Sequence, residues 1–297
     1  MTNLELIKKA TLLLQKRGFE NSDFEVACIL CHLSALDKSH LVLEYGKPVN
    51  ENLANELFEA LERRIAGEPL QYILGEWSFM GLDFNLGPGV LIPRRETETL
   101  VEKVLQKAKS FESPIIFDLC AGTGCIGISI ALKRPDATLY LLEKSEQAYP
   151  YMLENIRRYN LSNIKPVKGD LFSGFSNFDL PRPDIIVSNP PYIKSCRIND
   201  LQSEVKHEPY LALDGGEDGL DFYRALFEKW FPCLRHGGFM ALECADDQAD
   251  TISKIFSDPK QEILIEKDLF NIERFVFIRK QQEWMQILCR NGENNVN

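Results

Sequence analysis

The sequence has little that would tie it to a membrane, an oxidising compartment or a metal. No run approaches the roughly 18 consecutive apolar residues that a membrane-spanning helix needs. Met1 to Leu14 interleaves Glu5, Lys8 and Lys9 with its apolar residues and lacks the small-residue cleavage site of a signal peptide. Eight cysteines among 297 residues follow no disulfide framework, which suits a reducing compartment. The four histidines (His32, His40, His207, His236) form no metal-ligand pattern. Basic residues are in deficit, 34 against 44 acidic, for a net charge of -10. Affinity for DNA comes largely from neutralising phosphates, and no Lys/Arg cluster longer than a pair stands out. Internal repeats are missing as well. The expectation is a cytoplasmic chain with no membrane, DNA or metal partner, and a monomer.

What is present is an ordinary globular composition, 44% hydrophobic and 26% charged, at a length that suits two domains or one with an extension. Residues 1–70 read as a helical bundle. Leu4, Ile7, Leu12 and Leu14 recur at near-helical spacing. A second helix covers Phe24–Leu33, with Ser22 and Glu25 predicting a capping box. Cys28-Ile-Leu-Cys31-His32 matches the haem-attachment pattern, but cysteines three apart on this helix read as residues of its buried face. A third helix, about Glu51 to Ala66, carries Leu53, Leu57, Leu61 and Ile65 and stops at Gly67. No titratable cluster is visible in this bundle. Residues 71–94 read as a linker holding a β-hairpin, with Phe79, Leu82, Phe84 and Leu86 around Gly81. From residue 95 to 297 apolar runs (Ile115–Leu119, Leu139–Leu142, Ile185–Val187, Phe239–Leu242, Ile263–Ile265, Phe275–Ile278) alternate with helical segments such as Ala148–Tyr159 and Leu220–Leu234. That alternation predicts an α/β domain with a mostly parallel sheet, whose ligands sit beyond the carboxyl ends of the strands. The tail includes apolar Trp284, Ile287 and Leu288.

The first strand of that domain ends in a glycine loop. Gly122, Gly124 and Gly127 satisfy G-x-G-x-x-G, and Glu143 ends the next strand about 20 residues on. Bare backbone then meets a ligand at a helix N-terminus, and a carboxylate accepts from ribose hydroxyls. NAD and S-adenosylmethionine both meet this description. Asp118, two residues before the loop, favours the second, because a carboxylate there can order the loop and face a cation but would repel a pyrophosphate.

Strand Asp184–Ser188 then runs into Asn189-Pro190-Pro191-Tyr192. Consecutive prolines bar helix and ladder alike, so the segment is a rigid loop. The Asn189 amide oxygen and the Pro190 carbonyl are two acceptors that can hold both N–H bonds of an –NH2 group lying against Tyr192. An amide nitrogen is a poor nucleophile, because its lone pair is delocalised. Acceptors that grip its hydrogens orient it and stabilise the positive charge that develops as it takes up a methyl group. Such a preorganised contact is worth about 3–4 kcal/mol, and alignment of the reactants about 7–11 kcal/mol more. The residues therefore point to transfer of a methyl group to a planar amide or amine.

Several further segments carry a resemblance. They are Gly67-Glu68-Pro69-Leu70-Gln71-Tyr72-Ile73-Leu74-Gly75, Phe79-Met80-Gly81-Leu82-Asp83-Phe84, Gly89-Val90-Leu91-Ile92-Pro93-Arg94 with Glu96-Thr97-Glu98, Glu204-Val205 with Glu208-Pro209, and Ala212 through Leu220. With the Asn-Pro-Pro-Tyr loop, these resemble the peptide chain release factor glutamine methyltransferases (the PrmC, or HemK, family) over nearly the whole chain. The resemblance implies a seven-stranded, Rossmann-like methyltransferase domain using S-adenosylmethionine, with the helical bundle docking the substrate. It implies as target the glutamine of the Gly-Gly-Gln motif in class 1 release factors, in support of translation termination. It also implies that Cys120, Ala121, Gly122, Thr123 and Gly124 cradle the methionine part of the cofactor, that Glu143 takes the ribose, and that Asp170 and Leu171 border the adenine. Asn189, Pro190, Pro191 and Tyr192 would hold the glutamine carboxamide, with Leu91 lining the same pocket. Cys120 stands where the family usually has glycine, and Arg95 where it commonly has proline. Glu243-Cys244-Ala245-Asp246-Asp247-Gln248 and Phe270-Asn271-Ile272-Glu273-Arg274 depart from two further family patterns, with effects expected on packing or docking. A DNA adenine methyltransferase would share the loops but should bring clustered basic residues. A ribosomal-protein glutamine methyltransferase would differ only in docking. An NAD oxidoreductase leaves the double-proline loop without a purpose, and a binding module leaves two halves of a catalytic site unused.

Overall fold

The computed structural model describes residues 1–259 and 261–281, so the apolar tail positions Trp284, Ile287 and Leu288 lie outside the described residues. Packing divides the chain into two compact units.

The first unit is Met1–Trp77 joined by Leu86–Pro88 and Gln202–His207. Its helices are α1 (Asn3–Lys16), α2 (Ser22–Ser34), α3 (Lys38–Leu43), α4 (Glu51–Ile65) and α5 (Leu70–Leu74). α1 opens on a capping box: Thr2 Oγ1 accepts from the Glu5 amide, and the Glu5 carboxylate accepts from the Thr2 amide. Its buried stripe is Leu6, Ala10 and Leu14, at i, i+4 spacing, whereas Leu4 and Leu12 are exposed. Neighbouring stripes on an apolar helix share a period, so spacing alone did not separate them. The box expected at Ser22 does not form. Ser22 Oγ donates to the Phe19 carbonyl, and Glu25 turns inward to a buried ion pair with Arg64. Arg64 also reaches Glu204, so its nearly buried guanidinium has carboxylates from two distant stretches of chain. Cys28 and Cys31 are half-buried against this core, and burial pushes both thiols up. Leu57 and Leu61 are fully buried on α4, and Gly67 beyond it takes φ +99°.

The second unit holds Ser78–Asn85, Gly89–Leu201 and the described residues from Glu208 onward. Strands β1 (Glu76–Phe79) and β2 (Leu82–Asn85) form the hairpin, with Met80 and Gly81 both at positive φ in its two-residue turn. Phe79 and Phe84 meet edge to face inside the core of the second unit. There follow α6 (Arg95–Ala108), β3 (Ile115–Leu119), α7 (Cys125–Lys133), β4 (Thr138–Glu143), α8 (Ala148–Arg158), β5 (Ile164–Lys168), β6 (Ile185–Ser188), α9 (Tyr210–Leu213), α10 (Asp221–Ala225), β7 (Phe239–Glu243), α11 (Ala249–Ile255), β8 (Gln261–Lys267) and β9 (Glu273–Lys280).

Among the described residues the sheet has seven strands in the order β5-β4-β3-β6-β7-β9-β8. It is parallel except for β9, which runs antiparallel to β7 and β8. β5 is not among the apolar runs. It contains Pro166 and sits at the sheet edge, where a missing N–H is tolerated. Alternate residues of β6 feed opposite cores: Ile185 and Val187 pack on one face, Ile186 on the other. The segment expected as one helix, Leu220–Leu234, is instead α10, a π-helical turn at Leu226–Trp230 and a 3-10 turn at Phe231–Cys233. Pro232 removes an N–H and crowds the preceding turn, which ends regular helix there. The strand order reverses between β3 and β6, and the carboxyl ends of these strands frame the site.

Candidate active site

A cavity of about 330 Å³ opens at that switch point. Its lining includes Leu91, Cys120, Ala121, Gly122, Thr123, Glu143, Asp170, Leu171, Asn189 and Pro191. Asp118, Gly124, Pro190 and Tyr192, also singled out in the sequence, do not line it.

The glycine loop is held from behind by carboxylates that accept from its backbone. Asp118 is wholly buried, and one of its oxygens accepts from the Gly127 amide at 2.9 Å. Its other oxygen has no hydrogen-bond partner, and burial pushes the carboxyl up to about 7. Asp118 therefore orders the loop without facing the cavity. Gly127 must lack a side chain, since a Cβ there would lie 2.7 Å from Leu141 Cδ1 and 3.0 Å from Asp118 Oδ2. Glu143 reaches the cavity, and its two oxygens accept from the Gly122 and Ser145 amides at 2.8 and 2.6 Å. Each oxygen keeps a further lone pair for a ligand. Asn155, fully buried on α8, donates to the Thr123 carbonyl and so fixes the far side of the loop. Cys120 adopts φ +65°, a left-handed conformation that glycine takes without strain. Asp170 accepts from the Phe172 amide and pairs with Lys144, while Trp230 Nε1 holds the Leu171 carbonyl at 2.8 Å.

The Asn-Pro-Pro-Tyr loop is held by side chains. Asn189 Nδ2 donates to Glu243 Oε1 at 2.9 Å and to Thr97 Oγ1 at 3.2 Å. Both partners are almost fully buried. With its –NH2 engaged in this way, the Asn189 amide has Oδ1 left to accept from a ligand. Pro190 and Pro191 are buried. Tyr192 is half-buried, and burial pushes its phenol up to about 12. Gln248 clamps the loop: Nε2 donates to the Tyr192 and Gly219 carbonyls, and Oε1 accepts from the Ala245 amide. A Cβ at Gly219 would stand 2.5 Å from the Tyr192 carbonyl, so the segment needs glycine to press so close. Beyond the loop, Ile193 and Asp214 form a parallel bridge. Leu91 and Arg94 border the cavity, and the intervening Ile92 amide donates to the buried Glu208 carboxylate, which also pairs with Arg94.

Glu243 and Gln248 touch the Asn-Pro-Pro-Tyr loop; the departure expected to act on packing or docking is at Ala245 between them, whose amide donates to Gln248 Oε1. Thr97 was visible only as part of a resembling segment. Arg95 is exposed at the first position of α6, where the backbone N–H has no partner within the helix.

Comparison with known proteins adds to this geometry. The PrmC N-terminal domain family matches residues 5–75, and the methyltransferase small domain family matches residues 95–207. A release factor glutamine methyltransferase of Thermodesulfovibrio yellowstonii is 38% identical over 86% of this chain and 91% of its own length. One from Aquifex aeolicus is 31% identical over 93% of this chain and 97% of its own. A methyltransferase structure from Pyrococcus furiosus superimposes with a TM-score of 0.50, at 20% identity, over 78% of this chain and all of that one. It speaks to the fold alone.

Proposed function

This chain belongs to the release factor glutamine methyltransferases, and from that footing we propose how its own residues serve the reaction. It is an S-adenosylmethionine-dependent protein-(glutamine-N5) methyltransferase. Its substrate in this reading is the Gly-Gly-Gln glutamine of class 1 release factors, met by a cytoplasmic monomer.

The chemistry of the cavity suits the cofactor. Glu143 and Asp170 supply the negative groups that a cationic nucleoside calls for, and backbone lines the glycine loop. When bound, S-adenosylmethionine supplies a methyl group made electrophilic by a sulfonium. Cys120, Ala121, Gly122 and Thr123, which line the cavity, would hold its methionine portion, Glu143 would accept from the ribose hydroxyls, and Asp170 and Leu171 would flank the adenine. Asp118 serves from behind, by holding Gly127.

In this reading Asn189 Oδ1, at the cavity wall, accepts one N–H bond of the target carboxamide, and the carbonyl of the adjacent Pro190, which lies outside the cavity lining, is the second acceptor. Pro191 and Leu91, which line the cavity, exclude water around it. This grip disfavours rotation of the amide and stabilises the positive charge its nitrogen gains on methylation. The observation that carries this reading is the engagement of Asn189 Nδ2 with Glu243 and Thr97, which leaves Oδ1 as the acceptor.

The experiment is methyl transfer from labelled S-adenosylmethionine to a class 1 release factor, to its Gly-Gly-Gln→Gly-Gly-Ala variant, and to duplex DNA. Label on the native factor alone is the expected result. Label on DNA, or on the alanine variant at the native rate, would sink the assignment.

A further inference from the structure

We infer that Glu243, acting with the cavity-lining Thr97 on the Asn189 –NH2, is a positioning residue: it forces the Asn189 amide to present Oδ1 and strengthens that oxygen as an acceptor. The inference rests on the reading that Asn189 grips the target amide.

Glu243 is the last residue of β7, and Ser188 of β6 pairs with Leu242, so Glu243 stands beside Asn189 one step further along. Its side chain makes no ion pair among the described residues. Arg94 is engaged by Glu208 and Arg274 by Asp268. Glu243 Oε1 takes one Asn189 hydrogen, Thr97 Oγ1 takes the other, and Glu243 Oε2 has no partner. Burying a carboxylate on neutral donors is unfavourable. A glutamine would fill the same space without that penalty, so packing alone does not account for an acid.

Two chemical properties do. An ionised carboxylate only accepts, so the Asn189 amide must turn its –NH2 towards Glu243 and its oxygen away. A glutamine offers an oxygen or an –NH2, and either orientation of Asn189 would then be satisfied. The negative charge also polarises the amide it bonds. Electron density moves towards Oδ1, and the bond from Oδ1 to the target N–H strengthens cooperatively. The effect is largest when the target nitrogen carries positive charge, which places it in the transition state.

The charged and titratable groups facing Glu243 are Arg94 and Glu96 at the start of α6, Arg274 on β9, Tyr192 on the loop, Tyr223 on α10, and the Cys125 and Cys244 thiols. Burial holds both thiols and both phenols neutral well above pH 7, and the arginines stay cationic. Burial raises Glu243 itself to about 7. Below that pH Glu243 takes up a proton and loses its charge, so turnover should fall as pH drops through about 7.

The test is kcat, cofactor KM and urea midpoint for Glu243→Gln and Thr97→Val, with Asn189→Ala as reference. Glu243→Gln should lower kcat roughly 10- to 100-fold, less than the 10²–10³ typical of a lost direct contact. Its cofactor KM should stay within about threefold, its urea midpoint should hold or rise, and its acidic limb should vanish. Thr97→Val, with one of the two bonds to the Asn189 –NH2 removed, should lower kcat by about 3- to 10-fold. A Gln variant with native kcat and the native acidic limb overturns the inference. So does native kcat in Thr97→Val, should the Gln variant not fold. Full turnover in Asn189→Ala would instead overturn the underlying reading of the site.

Discussion

The two loops that frame the cavity are held by different means. The glycine loop is fixed through its backbone: Glu143 accepts from Gly122, Asp118 from Gly127, and Asn155 donates to Thr123. The Asn-Pro-Pro-Tyr loop is fixed through side chains, with Glu243 and Thr97 on Asn189 and Gln248 on the Tyr192 carbonyl. A loop read by its backbone can vary its side chains, provided the chain path survives. A loop whose task falls to one oriented side chain has no such freedom.

The sharpest way to break this contrast is Asn189→Ala. Its kcat should fall by about 10²- to 10³-fold with cofactor affinity nearly intact, as single-turnover assays and calorimetry would show. A parallel loss of cofactor affinity would merge the two loops into one unit. Glu143→Gln should do the reverse and weaken S-adenosylmethionine by roughly 10- to 100-fold with less change in kcat, read by titration calorimetry.

A smaller effect concerns pH. Asp118 is raised to about 7 in the folded chain, above the ~3.9 of a free carboxylate. Between those values the native state holds a proton that the unfolded state has released. Stability from this group is therefore full at acid pH and is lost as pH rises through about 7. Asp118→Asn keeps an acceptor for Gly127, so it should narrow the difference in urea midpoint between pH 5 and pH 8. An unchanged difference would show that Asp118 does not titrate there.

The smallest effect is expected at Cys120. A glycine there would relieve about 1–2 kcal/mol of left-handed strain, partly offset by its own chain entropy. The net gain should be about 1 kcal/mol or less, with cofactor affinity changed under about threefold. A large change in turnover would show that the thiol takes part.

Legibility in the sequence followed the same division. β3 was readable to the residue, because Ile115–Leu119 is apolar but for Asp118 and runs directly into the glycine loop. β5 was not, because Pro166 and its lysines give an edge strand no such run. Asn189 and Glu143 could be named because their motifs are local. Thr97, Glu243 and Gln248 meet the double-proline loop from 92, 54 and 56 positions away, and no spacing rule connects them. In the bundle, the pattern Ser22 to Glu25 promised a cap, but Arg64 offered Glu25 a stronger partner 39 positions on.

Arg64 has one more consequence, in time rather than in space. Its second carboxylate, Glu204, is made 140 positions later. At roughly 5–20 residues per second, the ribosome adds Glu204 about 7–28 s after Arg64. Until then the guanidinium that holds α4 to α2 lacks one of its partners, and the bundle that begins the chain is completed only after β3 to β6 have been made.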